Sequence, residues 1–294
     1  MYVVTGATGN IGSRIVENLL KQGKTVRMIG RSEEKMQPWA ERGAQIQPGT
    51  LENTEFLTNA FKGASAVFTM IPPNLQAGDI RKEMNTIGQS LANALAEAKI
   101  KWVVNLSSVG AHLKEGAGIV SGLHDLENYL NDIDHLNVVH LRPAYFMENL
   151  YETIDMIKNM NLIGGAIDPA LKFPMVAMTD IAETATTRLI NRDFIGKSVQ
   201  YILGARDVSF NEITKVIGDR LKLNDLNYVR FPAEDAVKAM TEMGLSSSAA
   251  SAIIELYESI NQGVIHTDAE RTEASTSPTS IEEFADKFVQ VYNS

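Results

Sequence analysis

A glycine-rich turn near the start of the chain has the spacing needed to bind a pyrophosphate. The segment Thr5–Gly12, which reads Thr-Gly-Ala-Thr-Gly-Asn-Ile-Gly, follows a predicted strand at residues 2–5 and opens a predicted helix. Gly6 permits a tight turn, Gly9 lets the backbone approach the phosphates, and Gly12 allows close packing of helix and strand. The free N–H groups and positive dipole of the helix start favour an anion. The context predicts a dinucleotide-binding turn rather than a glycine-rich connection without a ligand.

The residues after the second predicted strand indicate which dinucleotide is bound. Residues 25–29 form this strand, and Gly30, Arg31 and Ser32 follow it. A site for NAD(H) places an acidic residue here to bind the ribose hydroxyls. A guanidinium instead suits a 2′-phosphate, which accepts two parallel hydrogen bonds. The sequence therefore favours NADP(H), with an ordinary solvated arginine as the alternative for Arg31.

The elements that must position these residues alternate between short apolar runs and longer stretches of helical period. Strands are predicted at residues 2–5, 25–29, 44–47, 66–71, 102–106 and 137–141, and helices at 11–22, 33–42, 54–61, 80–98 and 122–132. Such alternation predicts an α/β protein with a Rossmann-type, doubly wound parallel sheet. Residues 1–142 are the predicted dinucleotide-binding domain.

Residues 143–294 are predicted to form a smaller, helix-rich substrate lobe that is partly interleaved with the sheet. Helices are expected at residues 149–159, 179–191, 209–221, 233–243 and 247–260, with one strand at 199–203. Asp180 is interpreted as a helix N-cap. The polar segment 267–280 is expected to be an exposed connector, and apolar residues at helical spacing predict a final helix over 281–292.

Composition limits the classes of function. The chain has 294 residues, 44% of them hydrophobic, no cysteine, and a formal net charge of -9. This charge disfavours nucleic acid and anionic membranes as partners, and the lack of cysteine excludes disulfides and thiolate chemistry. Neither a leader segment nor a membrane span is recognised, so a cytoplasmic protein is expected. The five histidines lack metal-site spacing, and no metal is predicted.

Several segments together resemble one family. Besides the glycine turn and Arg31, these are Asn105-Leu-Ser-Ser108 at the fifth strand and the segment 141–149, Leu-Arg-Pro-Ala-Tyr-Phe-Met-Glu-Asn. The chain resembles the NmrA-like family of atypical short-chain dehydrogenase/reductase proteins, and within it the NADPH-dependent quinone oxidoreductase type. The likeness extends along nearly the whole chain.

The resemblance implies a set of contacts to the cofactor and substrate. Around the pyrophosphate it implies Gly6, Thr8, Gly9, Asn10 and Ile11, with Gly12 packing the helix, and it implies Arg31 at the 2′-phosphate. Near the nicotinamide and its ribose it implies Met70, Ile71, Pro72 and Ser107, with Tyr145 at the mouth of the substrate cleft. Thr50 stands where the family commonly has aspartate near the adenine, so an altered adenine contact is expected.

The catalytic Tyr-x-x-x-Lys pair of ordinary short-chain dehydrogenases is missing. Tyr129 is followed four residues later by Ile133, and Tyr145 by Asn149. His124 on the predicted helix 122–132 is a candidate catalytic residue alongside Tyr145, although a lone histidine there more often caps or packs. His112 is a comparable candidate from a glycine-rich loop.

The missing acid/base pair affects the choice of reaction. Hydride addition to a ketone leaves a basic alkoxide that needs a positioned acid, whereas hydride addition to a quinone leaves a delocalised anion. The sequence therefore predicts an NADPH-dependent oxidoreductase that acts on a quinone or a similar small, electron-poor acceptor. The alternatives are a non-catalytic NADP(H) sensor acting through a protein partner and, less favoured, a nucleotide-sugar epimerase. A homodimer is compatible with each of these functions.

Overall fold

The computed structural model describes residues 1–294, and its first half alternates strands and helices as the sequence predicts. The elements are β1 (Tyr2–Val4), α1 (Asn10–Lys21), β2 (Val26–Gly30), α2 (Glu33–Ala40), β3 (Gln45–Pro48), α3 (Thr54–Phe61), β4 (Ala66–Thr69), α4 (Ile80–Glu97), β5 (Trp102–Leu106), α5 (Ser121–Asn131) and β6 (Asn137–Pro143). Several helices begin at a capping side chain. Ser32, Asn53 and Asp79 each accept a hydrogen bond from a backbone N–H of the first turn that follows.

The second half is less regular. It contains β7 (Tyr145–Phe146), α6 (Ile154–Met160), β8 (Leu162–Gly165), β9 (Phe173–Val176), α7 (Met178–Asn191), β10 (Lys197–Ile202), β11 (Asp207–Val208), α8 (Phe210–Leu221), β12 (Asn227–Arg230), α9 (Ala233–Glu242), α10 (Ser247–Asn261) and α11 (Ile281–Tyr292). Short 3₁₀ helices lie at Gly118–Val120, Met147–Thr153 and Val264–His266. Full capping boxes start α8 at Ser209 and α11 at Ser280.

A seven-stranded parallel sheet with the order β10-β6-β5-β4-β1-β2-β3 forms the centre of the molecule. Its central strands β1 and β4 are buried along their whole length because helices cover both faces. One face packs against α1 and α7, and the other against α3, α4 and α5. This architecture confirms the predicted Rossmann-type fold, and it brings the carboxyl ends of β1 to β6 to one edge.

The second half of the chain contributes directly to this sheet. β10 pairs with β6 along its whole length and becomes the seventh strand. Two smaller sheets, β11-β9-β7 and β12-β8, lie outside it. The division at residue 142 into a dinucleotide-binding domain and a substrate lobe remains a prediction. None of the helices has the length and apolar character needed to cross a membrane.

One local prediction for the second half is wrong, and another holds only in part. Asp180 is no N-cap, because α7 already begins at Met178; its buried carboxylate accepts hydrogen bonds from the backbone and hydroxyl of Thr279. The connector 267–280 is not uniformly exposed. Ser275 and Ser277 are buried, and the Ser275 carbonyl accepts a 2.7 Å hydrogen bond from the Leu203 N–H just beyond β10. The sequence does not predict this packing, because the partners of these polar residues are backbone groups far away along the chain.

Candidate functional site

The glycine turn between β1 and α1 forms a cradle that side chains would fill. Gly6 has a φ of +59°, and a Cβ atom added there would lie 2.5 Å from the Met70 Sδ. A Cβ on Gly12 would lie 2.2 Å from the Gly6 carbonyl oxygen. Gly9 is the N-cap of α1, and no side chain caps the helix. The first N–H groups of α1 are therefore free to bind an anion, so these residues fit a dinucleotide pyrophosphate.

The remaining residues predicted at the turn differ in exposure. Asn10 is exposed and Thr8 half-buried, whereas Ile11 is buried. Thr8 also lies close to the end of the next strand, because a Cβ added to Gly30 would be 3.4 Å from its Cγ2. The turn is fixed to β2 through a 3.2 Å hydrogen bond from the Ala7 N–H to the Ile29 carbonyl. The start of α1 and the end of β2 consequently face the same space.

Arg31 and Thr50 lie at the ends of adjacent strands beside the turn. Arg31 follows β2, is exposed, and forms no salt bridge with an acidic residue. The Ser32 hydroxyl is already engaged, because it accepts a hydrogen bond from the Lys35 N–H. Thr50 is exposed just beyond β3, which is joined to β2 by a bond from the Gly49 N–H to the Gly30 carbonyl. The geometry leaves the Arg31 guanidinium available for a phosphate.

A cavity of about 340 Å³ opens at the carboxyl ends of β4, β5 and β6. Of its 22 lining residues 16 are hydrophobic, so it suits an apolar molecule. Met70, Ile71, Ser107 and Tyr145, which the resemblance implies near the nicotinamide and the substrate, line this cavity. Pro72 does not line it, but the next residue, Pro73, does. Met70 is also the residue that contacts Gly6, so the cavity and the glycine turn share a wall.

The far wall of the cavity comes from α10, a contribution that the sequence analysis missed. Its lining residues Ile253, Leu256, Tyr257 and Ile260 recur at the spacing of one helix face. The loop after β5 packs tightly on this helix, since a Cβ added to Gly118 would lie 1.9 Å from the Ala252 carbonyl oxygen. The spacing on α10 was visible in the sequence, but it also fits ordinary core packing.

The Ser107 hydroxyl is part of a buried network of charged and polar side chains. Its hydroxyl donates a short 2.5 Å hydrogen bond to Glu127 Oε1, and Arg142 binds both oxygens of that carboxylate, at 3.0 and 2.6 Å. The Arg142 Nη1 also donates to the Tyr201 hydroxyl at 2.9 Å and to Asp268 Oδ2 at 2.8 Å. The network therefore joins β5, α5, β6 and β10 to the segment that follows α10.

Burial and pairing shift the pKa values in this network. Burial alone would lower the pKa of the Arg142 guanidinium, but the hydrogen bonds and charge of Glu127 outweigh it and raise the pKa. Burial, with the Asp268 carboxylate adding to it, raises the pKa of Tyr201 to about 12. Arg142 therefore stays charged and Tyr201 stays protonated over the physiological range.

The structure does not bring His124 into the cavity. Its Nδ1 lies 2.8 Å from the Ala111 carbonyl and its Nε2 2.9 Å from the Asn128 amide nitrogen, so both ring nitrogens have partners. His112 lies close to Asp268, with 2.8 Å between Nδ1 and Oδ1. The histidine that does line the cavity is His266, which the sequence analysis did not single out.

Among the polar side chains that line the cavity, His266 and Tyr145 have the most strongly shifted pKa values. Neither ring nitrogen of His266 has a hydrogen-bond partner, and burial lowers its pKa to about 4, so the ring is neutral at pH 7. Burial, helped by the neighbouring Tyr257, raises the pKa of Tyr145 well above its ordinary value. The Tyr145 ring also packs edge-on against Phe173, with 5.7 Å between centroids. Both groups can donate a hydrogen bond while uncharged.

No group of three or more histidine, aspartate and glutamate side chains is arranged to hold a metal ion. The site therefore consists of an anion cradle, an exposed arginine beside it, and an apolar cavity with a few hydrogen-bond donors. Together these features can hold a dinucleotide along the sheet edge and a flat organic molecule next to it.

Known structures share this fold. The NADPH-dependent quinone oxidoreductase of Escherichia coli, solved with NADPH, has a similar fold, with a TM-score of 0.84 at 19% identity over 98% of this chain and 100% of that one. The triphenylmethane reductase of Citrobacter sp., complexed with NADP(H), has a TM-score of 0.80 at 17% identity over 98% and 99%.

Relatives are also found by sequence. The NAD(P)H azoreductase of Xenophilus azovorans is 24% identical over 257 residues, which cover 87% of this chain and 86% of that protein. The uncharacterized oxidoreductase YesF of Bacillus subtilis is 27% identical over 295 residues, or 96% and 93%. The model of the NmrA-like family matches residues 2–285, nearly the whole chain. The protein is therefore a member of the NmrA-like family, as its sequence motifs indicated.

Proposed function

We propose that this protein is an NADPH-dependent oxidoreductase that reduces a quinone or a similarly flat, electron-poor molecule. The observation that carries the proposal is the wall shared by the glycine turn and the apolar cavity. Met70 contacts Gly6 on one side and lines the cavity on the other. A dinucleotide held at the turn would therefore have its reactive end beside the space for the acceptor.

The cofactor assignment is supported by the cradle and by Arg31. Gly6, Gly9 and Gly12 leave room for the pyrophosphate, and the Arg31 guanidinium is free for a 2′-phosphate. Related structures solved with NADPH and NADP(H) support the same nucleotide. When bound, NADPH supplies the hydride.

The residues of the chain supply orientation and exclude water. The Ser107 hydroxyl donates a hydrogen bond to Glu127, so its oxygen is left to accept a hydrogen bond from a ligand. Tyr145 stays protonated and His266 stays neutral, and both can donate hydrogen bonds to an acceptor oxygen. Such modest donors suffice for a quinone, because the negative charge that develops on it is delocalised.

Oxidation of NADPH by the purified protein, measured against a panel of small quinones with NADH in parallel, tests this proposal. We expect turnover well above the protein-free rate and faster with NADPH than with NADH. If the protein binds NADPH but oxidises it with none of these acceptors, the oxidoreductase proposal fails and a nucleotide sensor becomes the better explanation.

A further inference from the structure

The residues that line the cavity carry a negative charge and no positive charge. Glu152 is the only lining residue with a formal charge, because neither lysine nor arginine lines the cavity and His266 is neutral at pH 7. Glu152 lies at the exposed rim and forms neither a salt bridge nor a hydrogen bond with another side chain. The remaining lining groups are apolar or uncharged. An anionic ligand would therefore meet an unpaired carboxylate with no cation to compensate for it.

The aromatic residues of the cavity also favour a cation over an anion as the ligand. Tyr145, Phe146 and Tyr257 line it, and their ring faces attract cations and repel anions. The charge of Glu152 reaches the interior, since it contributes to raising the pKa of both Tyr145 and Tyr257 beyond the larger effect of burial. At longer range, the formal net charge of -9 attracts cations to the protein.

We propose that the cavity selects a flat, delocalised organic cation as the hydride acceptor, with Glu152 as the residue that determines this specificity. The inference rests on the proposed function and narrows its substrate class. Addition of one hydride from the reduced nicotinamide forms one C–H bond on the acceptor and neutralises its positive charge. The products are a neutral molecule and an oxidised nicotinamide, and no proton is taken up. This balance suits a site that has no Tyr-x-x-x-Lys pair.

Binding measured without turnover tests the selectivity directly. The nucleotide-free protein, which has neither a hydride to transfer nor the positively charged oxidised nicotinamide, is titrated with the fluorescent cation N-methylacridinium and with acridine, its neutral counterpart at mildly alkaline pH. We expect the cation to bind more tightly than acridine, and Glu152→Gln to reduce that ratio of affinities about tenfold. Added salt should reduce the ratio as well, because Glu152 is exposed to solvent.

Asp155→Asn is the matched control. Asp155 is exposed on α6, three residues from Glu152, and does not line the cavity, yet its substitution changes the net charge by the same amount. This variant should keep the wild-type ratio. In Glu152→Lys the preference should reverse, so that anthraquinone sulfonate, an anionic quinone, binds more tightly than it does to wild type.

The pH dependence of cation binding gives a second readout. Although Glu152 is exposed at the rim, the protein around its carboxylate removes part of the hydration and raises its pKa, whereas a bound cation favours its ionised form. Affinity for N-methylacridinium should therefore be full above this pKa and decline as pH falls through it. Of the other titratable groups facing the cavity, Tyr145 and Tyr257 stay protonated because burial raises their pKa values further above the neutral range. His266 stays neutral above pH about 5 because burial lowers its pKa to about 4.

The outcomes separate this inference from the proposed function. If quinones are reduced with NADPH but N-methylacridinium binds no better than acridine, or Glu152→Gln leaves the ratio unchanged, the cation selectivity is wrong and the reductase proposal stands. If Glu152-dependent cation binding is found but NADPH is oxidised with no acceptor, the selectivity of the cavity stands and the reductase proposal fails.

Discussion

The glycine turn and the apolar cavity meet at Met70, but they are built in different ways. In the turn, the close contact that leaves no room for a side chain is between backbone atoms that are close in sequence, as between Gly12 and Gly6. In the cavity the walls are side chains from β4 to β6, from the loop after β5 and from α10, which lies more than a hundred residues further along the chain. A side chain added at Gly12 would therefore clash with the backbone of the turn, whereas the cavity can be altered by single side chains and depends on long-range contacts.

The largest effect is expected where the cavity depends on the network around Arg142. Arg142→Met removes the partner of the buried Glu127 carboxylate and leaves an uncompensated charge. We expect the free energy of unfolding to fall by about 3–5 kcal/mol, measured by urea denaturation. Adding Glu127→Gln to this variant removes the orphaned charge and should recover part of the loss.

Stability close to wild type in Arg142→Met alone would show that the network does not hold the cavity walls together. In that case the contrast between the two regions would be smaller than the structure indicates, and the hydrophobic contacts of α10 alone would have to fix the far wall.

A smaller effect is expected at the turn, where a substitution should weaken cofactor binding. Gly12→Ala brings a Cβ within 2.2 Å of the Gly6 carbonyl, a backbone atom that cannot rotate away. We expect affinity for NADPH to fall roughly a hundredfold, as measured by calorimetric titration. Gly78→Ala is the control, because an added Cβ there meets no atom within 4 Å. Equal losses in both variants would remove the turn from the cofactor site.

Arg31 is expected to distinguish NADPH from NADH at the same edge of the sheet. Arg31→Ala removes the exposed guanidinium and should weaken NADPH binding about tenfold, since charge-assisted hydrogen bonds to the 2′-phosphate are lost. NADH, which lacks this phosphate, serves as the internal control and should bind the variant as it binds wild type. Equal losses for the two nucleotides would contradict the assignment.

The smallest effect is expected at His124, whose ring nitrogens are already engaged by Ala111 and Asn128 outside the cavity. We expect His124→Ala to change kcat by less than about twofold, whereas Tyr145→Phe, which removes a hydroxyl from the cavity wall, should reduce it several-fold. The measurement is steady-state NADPH oxidation with one quinone. A larger loss at His124 than at Tyr145 would return the catalytic role to His124.

The difference between local contacts in the turn and long-range contacts in the cavity explains which features the sequence could predict. Gly6, Gly9 and Gly12 act through their own backbone, so a local motif suffices to recognise them, and the parallel sheet follows from the alternation of strands and helices. The extent of α10 was also predicted well, at 247–260 against the observed Ser247–Asn261.

The role of α10 as a cavity wall could not be predicted, because it depends on which distant elements its apolar face meets. His266 was overlooked for the same reason: a lone histidine after a helix carries no signal until its neighbours are known. The polar segment 267–280 likewise looks exposed, although Asp268 and Ser275 make contacts with Arg142 and Leu203 that no local pattern encodes. The short strands β7, β8, β9, β11 and β12 were missed because each has only two to four residues.

Single-turnover oxidation of NADPH tests the central claim, that a nucleotide at the glycine turn delivers hydride into the adjoining cavity. The protein is mixed rapidly with NADPH and excess menadione, using NADPH with either hydrogen or deuterium at the transferable position of the nicotinamide. We expect oxidation that depends on the protein and is slower with deuterium, because the C–H bond of the cofactor breaks. Tight NADPH binding with oxidation no faster than in protein-free solution would contradict it.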